Sequence, residues 1–207
     1  MNYKYTIILL FFFTNAFSQE NKATTILNEI NDITKKYKNI KIDFEFILEN
    51  ESQEISETKS GIFYIGGSNF KIDMSEQLII NNGELQWIYL KELNEVQIIN
   101  HDPEDDAMNP IKILNIYKDD YKHNYIDLES KKSEFHIIDL IPKSSNEFIK
   151  IRLKIIKNAK QIEEMIMYDK QGTTYTYRII SISNNQESTR YFFDVNDYEN
   201  LEIIDLR

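Results

Sequence analysis

Histidines and carboxylates are the side chains of this chain that could carry acid–base chemistry or hold a metal ion. The three histidines, His101, His123 and His136, lie far apart in the sequence, and none belongs to a spacing motif typical of metal sites. Glu163 and Glu164 are adjacent in a predicted strand, so their side chains point to opposite faces and make a poor acid–base pair. The pattern therefore favours ordinary surface or strand residues over a catalytic or metal centre.

An acidic run between residues 101 and 109 resembles a calcium loop at first sight. It contains Asp102, Glu104, Asp105 and Asp106, but it lacks the regular alternation of ligands and the turn glycine of a calcium-binding loop, which favours a solvated charge cluster. The chain has no Cys and no Gly-rich phosphate loop, which excludes a thiol nucleophile and a zinc knuckle. We therefore predict a protein that is not an enzyme and needs no cofactor or metal. An enzyme built from dispersed residues stays open.

The first 18 residues predict a secretory signal peptide. Lys4 gives a basic start, residues 7–13 form an apolar core, and Ala16 and Ser18 place small residues before a cleavage point at Gln19. Seven apolar residues are far fewer than the roughly 20 that span a bilayer, which argues against a membrane anchor. We expect one mature domain, residues 19–207, that is exported and has no lipidated Cys.

The charge of the chain limits its partners. Removing residues 1–18 deletes one Lys and no acid, so the formal charge changes from −10 to −11. Nucleic acids and anionic membrane surfaces attract Lys and Arg, so neither is expected to be a partner. Without disulfides the fold must be stabilised by its hydrophobic core, and a mature chain of this length can bury enough surface for that.

The elements that must position any site are mostly strands. A hairpin over residues 78–96 is organised around Asn82-Gly83, which predicts a type I′ turn, and Leu85, Trp87 and Tyr89 fall on one face of its second strand. Apolar residues at spacings of three and four predict an amphipathic helix over residues 19–38.

A second helix is predicted to begin at Asn109-Pro110, with Asn as N-cap, Pro at the first helical position and Leu114 in its apolar stripe. The count is then about 11 strands with two or three helices. Strands and helices are segregated along the chain, which predicts an α+β domain. Its antiparallel sheet should curl into an incomplete β-barrel, with the helices on the concave face as a lid.

One side of the predicted sheet carries an excess of apolar residues. Such a face is either closed core or a cavity lined by aromatics, because two or three helices cover only part of a curled sheet. Composition alone favours closed core, since large internal voids are rare.

The sequence resembles the periplasmic outer-membrane lipoprotein carrier family, LolA, over nearly its whole mature length. An opening helix leads into the strand NIKIDFEF (residues 39–46), and residues 61 and 68–72 continue the pattern. The most specific match is IINNGELQWIY (residues 79–89), an apolar strand, a turn with Gly, then a Trp-apolar-Tyr segment. Residues 94–96, the helix start at Asn109-Pro110 and YDKQGTTYTY (residues 168–177) follow in the same order.

The resemblance implies a monomeric periplasmic chaperone that shelters the acyl chains of lipoproteins in an apolar cavity. Such carriers accept lipoproteins from an inner-membrane ABC transporter and carry them to the outer membrane, where a receptor can take them over. The residues expected to line the acyl-chain cavity are Phe44, Phe46, Phe63, Ile65, Phe70, Ile72, Trp87, Tyr89 and Leu114.

The sequence departs from the family pattern in one place. The family commonly has an Arg shortly before the aromatic that matches Phe70, at the cavity mouth, where the Arg helps to hold the lid closed. Residues 65–69 of this chain contain no Arg. Lid closure by that contact is therefore not expected here. A second reading also stays open, a periplasmic module on the same fold that senses or binds lipids or lipoproteins without shuttling them.

Overall fold

A computed structural model describes residues 13–34, 36, 39–101, 120–126, 133–144, 147–184 and 189–207. These residues form one α-helix and 12 strands, with short 3₁₀ turns at Glu51–Gln53 and Val195–Asp197. The elements are α1 (Phe13–Thr34), β1 (Asn39–Asn50), β2 (Ile55–Gly66), β3 (Asn69–Met74), β4 (Gln77–Asn81), β5 (Leu85–Leu90), β6 (Glu95–Asn100), β7 (Tyr121–Ile126), β8 (Phe135–Pro142), β9 (Phe148–Ile156), β10 (Gln161–Asp169), β11 (Thr174–Asn184) and β12 (Glu202–Asp205).

All 12 strands belong to one open sheet. Their order is β12-β6-β5-β4-β3-β2-β1-β11-β10-β9-β8-β7. Every neighbouring pair is antiparallel except β12, which lies parallel to β6 at one edge. The strands β12 and β7 form the two edges and do not pair with each other, so the sheet is not closed into a barrel. The prediction of an α+β incomplete barrel with about 11 strands is confirmed.

The helices differ from the prediction. The described residues contain α1 alone, fewer than the two or three predicted helices. It begins at Phe13, inside the stretch predicted as signal peptide, and ends at Thr34, four residues before the predicted end. The second predicted helix, with Leu114, lies outside the described residues, and the cleavage point before Gln19 stays a prediction.

The turn of the central hairpin is shifted by one residue from its predicted position. Asn81 pairs with Gln86, which leaves Gly83 and Glu84 as the central residues of the turn. Gly83 has φ +88°, whereas Asn82 is not among the residues with positive φ, so the predicted type I′ turn at Asn82-Gly83 is wrong. The Asn82 side chain instead accepts hydrogen bonds from the amides of Glu84 and Leu85, which explains the shift.

The two faces of the sheet carry different residues, as the period of two requires. The helix α1 packs on one of them, which we call the inner face. Ala23, Leu27 and Ile30 of α1 are buried there against β7–β10, in a cluster with Leu140, Ile151, Leu153 and Met167. The opposite, outer face of β8–β11 is polar: Arg152 makes two hydrogen bonds of 2.7 and 2.8 Å to Asp139.

The C-terminal segment covers the outer face of β4–β6. Sequence alternation predicts a strand over residues 189–195, but these residues form no strand. Phe193 instead stacks on Tyr198 with ring centroids 4.6 Å apart, and both rings pack against Tyr89. Packing on the face of the sheet therefore replaces pairing at its edge, and only the last segment, β12, adds a strand.

We expect Phe193→Ala to lower the free energy of unfolding by about 3 kcal/mol, because it removes a buried ring from the hydrophobic cluster that Phe193 forms with Tyr89 and Tyr198. Urea unfolding monitored by circular dichroism measures this change. Phe192→Ala is the matched control, since the Phe192 side chain is 49% exposed and its removal should cost less than about 1 kcal/mol. Equal losses for the two variants would show that the segment does not stabilise the sheet.

Candidate functional site

A cavity of about 150 Å³ lies between the end of α1 and the inner face of the sheet. It is bounded by the last turn of α1, by the inner faces of β1, β2, β3, β10 and β11, and by the turn between β9 and β10. Most of its lining side chains are aliphatic or aromatic. They are Ile30, Ile33, Thr34, Ile40, Ile42, Phe44, Phe63, Ile65, Ile72, Ala159, Lys160, Gln161, Ile162, Met165, Tyr177, Ile179 and Ile182.

The register of β1, β2 and β3 determines which of their residues reach the cavity. Ile42 lies opposite Phe63, and Phe63 lies opposite Ile72, so these three side chains share the inner face. Phe44 lies opposite Gly61. A Cβ atom on Gly61 would be 2.7 Å from Cζ of Phe44, so the absence of a side chain at this position lets the Phe44 ring lie against β2.

The rim of the cavity contains charges that its interior lacks. Among the described lining residues, Ala159 and Lys160 are exposed. Lys160 has φ +51°, a left-handed conformation within the turn between β9 and β10. Its Nζ lies 2.9 Å from Oε2 of Glu29 on α1, and both side chains are about half exposed. This ion pair joins the helix to the sheet beside the cavity, and pairs at such exposure contribute about 0–1 kcal/mol.

Tyr177 places a hydroxyl among apolar side chains at the cavity. Its ring lies 5.1 Å from the ring of Phe46 and 5.9 Å from that of Phe44. Burial raises the pKa of Tyr177 to about 12, because the phenolate would lose the water that stabilises its charge. The side chain therefore stays neutral at physiological pH.

Four of the residues expected at an acyl-chain site do line this cavity: Phe44, Phe63, Ile65 and Ile72. Phe46 lies on the same inner face, beyond Tyr177, and does not reach the cavity. Phe70 is 3% exposed and packs on Phe63 with ring centroids 5.9 Å apart. It therefore belongs to the core under the cavity. It does not lie at the cavity mouth, which is the position that the resemblance implied.

Trp87 and Tyr89 lie on the opposite face of the sheet from the cavity. Trp87 is opposite Ile80, and Ile80 is opposite Lys71, whereas the cavity residue Ile72 alternates with Lys71 along β3. The expectation that Trp87 and Tyr89 share a face with Phe63 is therefore wrong. The outer face of β4–β6 is also apolar, and the C-terminal segment covers it. Leu114 lies outside the described residues.

The sequence-based list missed the residues that α1 and β9–β11 bring to the cavity. Ile30 and Ile33 belong to the predicted apolar stripe of α1, and Met165, Tyr177 and Ile179 alternate correctly on β10 and β11. Their periodicity was visible. The sequence did not show that β11 pairs with β1, and this pairing is what brings these residues to the cavity.

Each of the three histidines has a different hydrogen-bonding neighbour, and Nδ1 of His101 lies 2.8 Å from Nδ2 of Asn81. Nδ1 of His123 is 2.8 Å from Oγ1 of Thr24, and Nδ1 of His136 is 3.0 Å from the Tyr125 hydroxyl. Burial and the nearby Lys157 lower the pKa of His136. Across the described ranges, no group of three or more His, Cys, Asp or Glu is placed to hold a metal ion. Nor do these ranges contain a helix with the length and apolarity needed to cross a membrane.

Comparison with known families identifies the fold and its relatives. The profile described as "Outer membrane lipoprotein carrier protein LolA" matches residues 35–196, more than half of the chain. The chain belongs to the LolA family. Membership confirms the resemblance to this family that was inferred from the strand NIKIDFEF and the segment around Trp87.

Curated relatives and solved structures agree with this assignment. The LolA-family chain is 24% identical, over 207 residues and 99% of both chains, to the outer-membrane lipoprotein carrier protein of Legionella pneumophila (strain Lens). An uncharacterized conserved protein from Thermus thermophilus has a TM-score of 0.57, with 10% identity over 89% of this chain and 99% of the other. A DUF1329 family protein from Desulfovibrio piger has a TM-score of 0.51, with 11% identity over 87% and 99%. At these identities the two structures support the fold alone.

The raised pKa of Tyr177 predicts a pH dependence of stability for this LolA-family protein. The unfolded chain ionises Tyr177 near pH 10, whereas the folded chain keeps the proton to about pH 12. Tyr177 therefore leaves the free energy of unfolding unchanged below pH 10. As the pH rises to 12, its ionisation in the unfolded chain lowers the free energy of unfolding by up to about 2 kcal/mol. Tyr177→Phe should remove this loss. Urea unfolding of both proteins from pH 8 to 12 measures it, and parallel curves would contradict the assignment.

Proposed function

We propose that this protein carries the acyl chains of lipoproteins across the periplasm in the cavity between α1 and the sheet. It accepts them from an inner-membrane ABC transporter and delivers them to the outer membrane, directly or through a receptor. The observation that carries the proposal is the lining of the cavity, where Ile, Phe and Met side chains surround the space and the charged residues Lys160 and Glu29 stand at its rim.

The physical basis is the cost of moving an acyl chain through water. Each methylene buried away from water contributes about 0.8 kcal/mol, so a lipidated protein leaves a bilayer only if another apolar environment receives its chains. Acyl chains need no directional bonds along their length. Side chains such as Ile65, Phe63 and Ile72 offer that kind of surface.

The size of the cavity implies that loading widens it. Apolar cavities of about 150 Å³ stay dry and admit molecules of the size of benzene, whereas a lipoprotein carries long acyl chains. The end of α1 borders the cavity on the side opposite the sheet. The exposed ion pair between Glu29 of α1 and Lys160 of the turn between β9 and β10 is weak enough to break. We infer that loading displaces the end of α1 from the inner face.

Carrier activity is tested by native mass spectrometry of the protein purified from its own envelope fraction, followed by release of lipoproteins from spheroplasts. The proposal expects acylated species bound to the protein and release that depends on its concentration. Binding without release would favour the sensing module. Absence of any acylated species, together with no release, would contradict both.

Filling the cavity should weaken the binding of acyl chains. Ile72 lies on the inner face and lines the cavity, so Ile72→Trp should weaken binding of a synthetic diacylglyceryl-cysteine dipeptide at least about tenfold, because the indole takes the space of the chain. Isothermal titration calorimetry measures the affinity.

The matched control for this variant is Tyr64→Trp. Tyr64 lies on β2, on the outer face, opposite Lys71 of β3, so the same indole is added without entering the cavity. Thermal unfolding checks that both variants fold. Unchanged affinity of a folded Ile72→Trp variant would show that the acyl chains bind elsewhere.

A further inference from the structure

The rim of the cavity has a feature that neutral acyl chains do not need. Of the lining residues within the part of the chain that the structure describes, Lys160 is the one that carries a charge. The acyl chains of a lipoprotein are uncharged and need no directional bonds along their length. The carrier function proposed above therefore leaves the ammonium group of Lys160 unexplained.

The backbone at position 160 is unfavourable for a lysine. Lys160 has φ +51°, in the left-handed region that residues other than Gly, Asn and Asp seldom adopt. The turn between β5 and β6 has the same conformation at its last residue, Asn94, with φ +49°, and Asn tolerates it. Because Gly or Asn at position 160 would relieve the backbone, the lysine is best explained by what its side chain contacts.

A carboxylate already lies on the Lys160 ammonium group. Nζ of Lys160 is 2.9 Å from Oε2 of Glu29, beside the last turns of α1, and both side chains are about half exposed. An ion pair with this exposure is weak, so a second carboxylate can take the place of the Glu29 carboxylate at little cost. The Glu29 side chain thus marks the position that the head of an anionic ligand would occupy.

Apolar side chains continue from Lys160 into the cavity. Ile162 and Met165 line it on β10, and Met165 lies opposite Tyr177 of β11. The Tyr177 ring is 5.9 Å from the ring of Phe44 on β1. A cavity of about 150 Å³ admits a molecule of the size of benzene, so one short acyl chain fits it with less widening than the long chains of a lipoprotein need.

We propose that the cavity also binds a free fatty acid, with the carboxylate on Nζ of Lys160 in place of Glu29 and the chain along Ile162, Met165 and Phe44. This second ligand uses the cavity of the proposed function, but its binding does not require that the protein transfers lipoproteins. The charged anchor at the rim selects a chain by its head, whereas the apolar interior selects it by buried area alone.

The test compares octanoate with 1-octanol, which have the same number of carbon atoms and differ in the charge of the head at pH 7. Isothermal titration calorimetry gives the two dissociation constants. Their ratio is the readout, because a general change in the shape of the cavity affects both ligands. We expect the wild-type protein to bind octanoate roughly three- to tenfold more tightly, the range of one partly exposed hydrogen-bonded contact. Ile72→Trp, which fills the cavity, should weaken both.

Variants of the two charged residues test the anchor. Lys160→Met and Lys160→Asn should bind octanoate no more tightly than octanol, since both lack the ammonium group. Lys160→Asn should melt at a temperature no lower than Lys160→Met, because Asn tolerates the left-handed backbone better. Glu29→Gln should raise the preference for octanoate, because it removes the competing carboxylate. Thermal unfolding checks that each variant folds.

Lys170→Met is the matched control. Lys170 is exposed in the turn that follows β10, at the opposite end of that strand from Lys160. The variant therefore removes the same charge far from the cavity and should keep the wild-type ratio of affinities.

The outcomes separate this proposal from the carrier function. Equal affinity of the wild type for both ligands, or a preference that Glu29→Gln lowers as Lys160→Met does, would refute the carboxylate anchor and leave the ion pair as a link between α1 and the sheet. Binding of neither ligand would also refute the fatty-acid site, whereas the carrier function would still be decided by release of lipoproteins from spheroplasts.

Discussion

The structure depends on the way in which one long antiparallel sheet distributes its apolar side chains between two faces. From β1 to β6 the strands pair without a register shift, so alternation along each strand is carried across all of them. A slip of one residue in any pair would move a whole set of apolar residues to the other side. The cavity exists because Ile42, Phe63 and Ile72 keep the same side through this chain of pairings, while α1 packs mainly over β7–β10.

The same constraint explains why the sheet has two separate hydrophobic surfaces. Apolar residues on the outer face of β4–β6 need a cover, and the C-terminal segment provides it through Phe193 and Tyr198. The outer face of β8–β11 needs none, since it carries paired charges such as Asp139 and Arg152. The protein thus combines a closed core on the outer face of β4–β6 with an inner face that α1 closes over β7–β10 and leaves partly open at the cavity. The single tryptophan belongs to the outer core.

The cavity differs from an ordinary packing defect in its boundary. Most of its lining side chains are aliphatic or aromatic, and its rim carries the Glu29–Lys160 ion pair. An apolar interior suits cargo of variable chain length, because affinity then follows buried area and not a fixed set of contacts.

The sequence by itself determined the fold class, most strands, the amphipathic character of α1 and the family, because periodicity and turn residues act within a few positions of each other. It predicted the inner-face positions of Phe44, Phe63, Ile65 and Ile72 for the same reason. Tertiary structure alone decided that Trp87 and Tyr89 face away from the cavity, that residues 189–195 pack on the sheet and do not form a strand, and that Ile30, Met165 and Tyr177 meet beside β1. These outcomes depend on which strands become neighbours. Pairing between segments as distant as β1 and β11 is set by the burial of whole faces, and no local pattern encodes it.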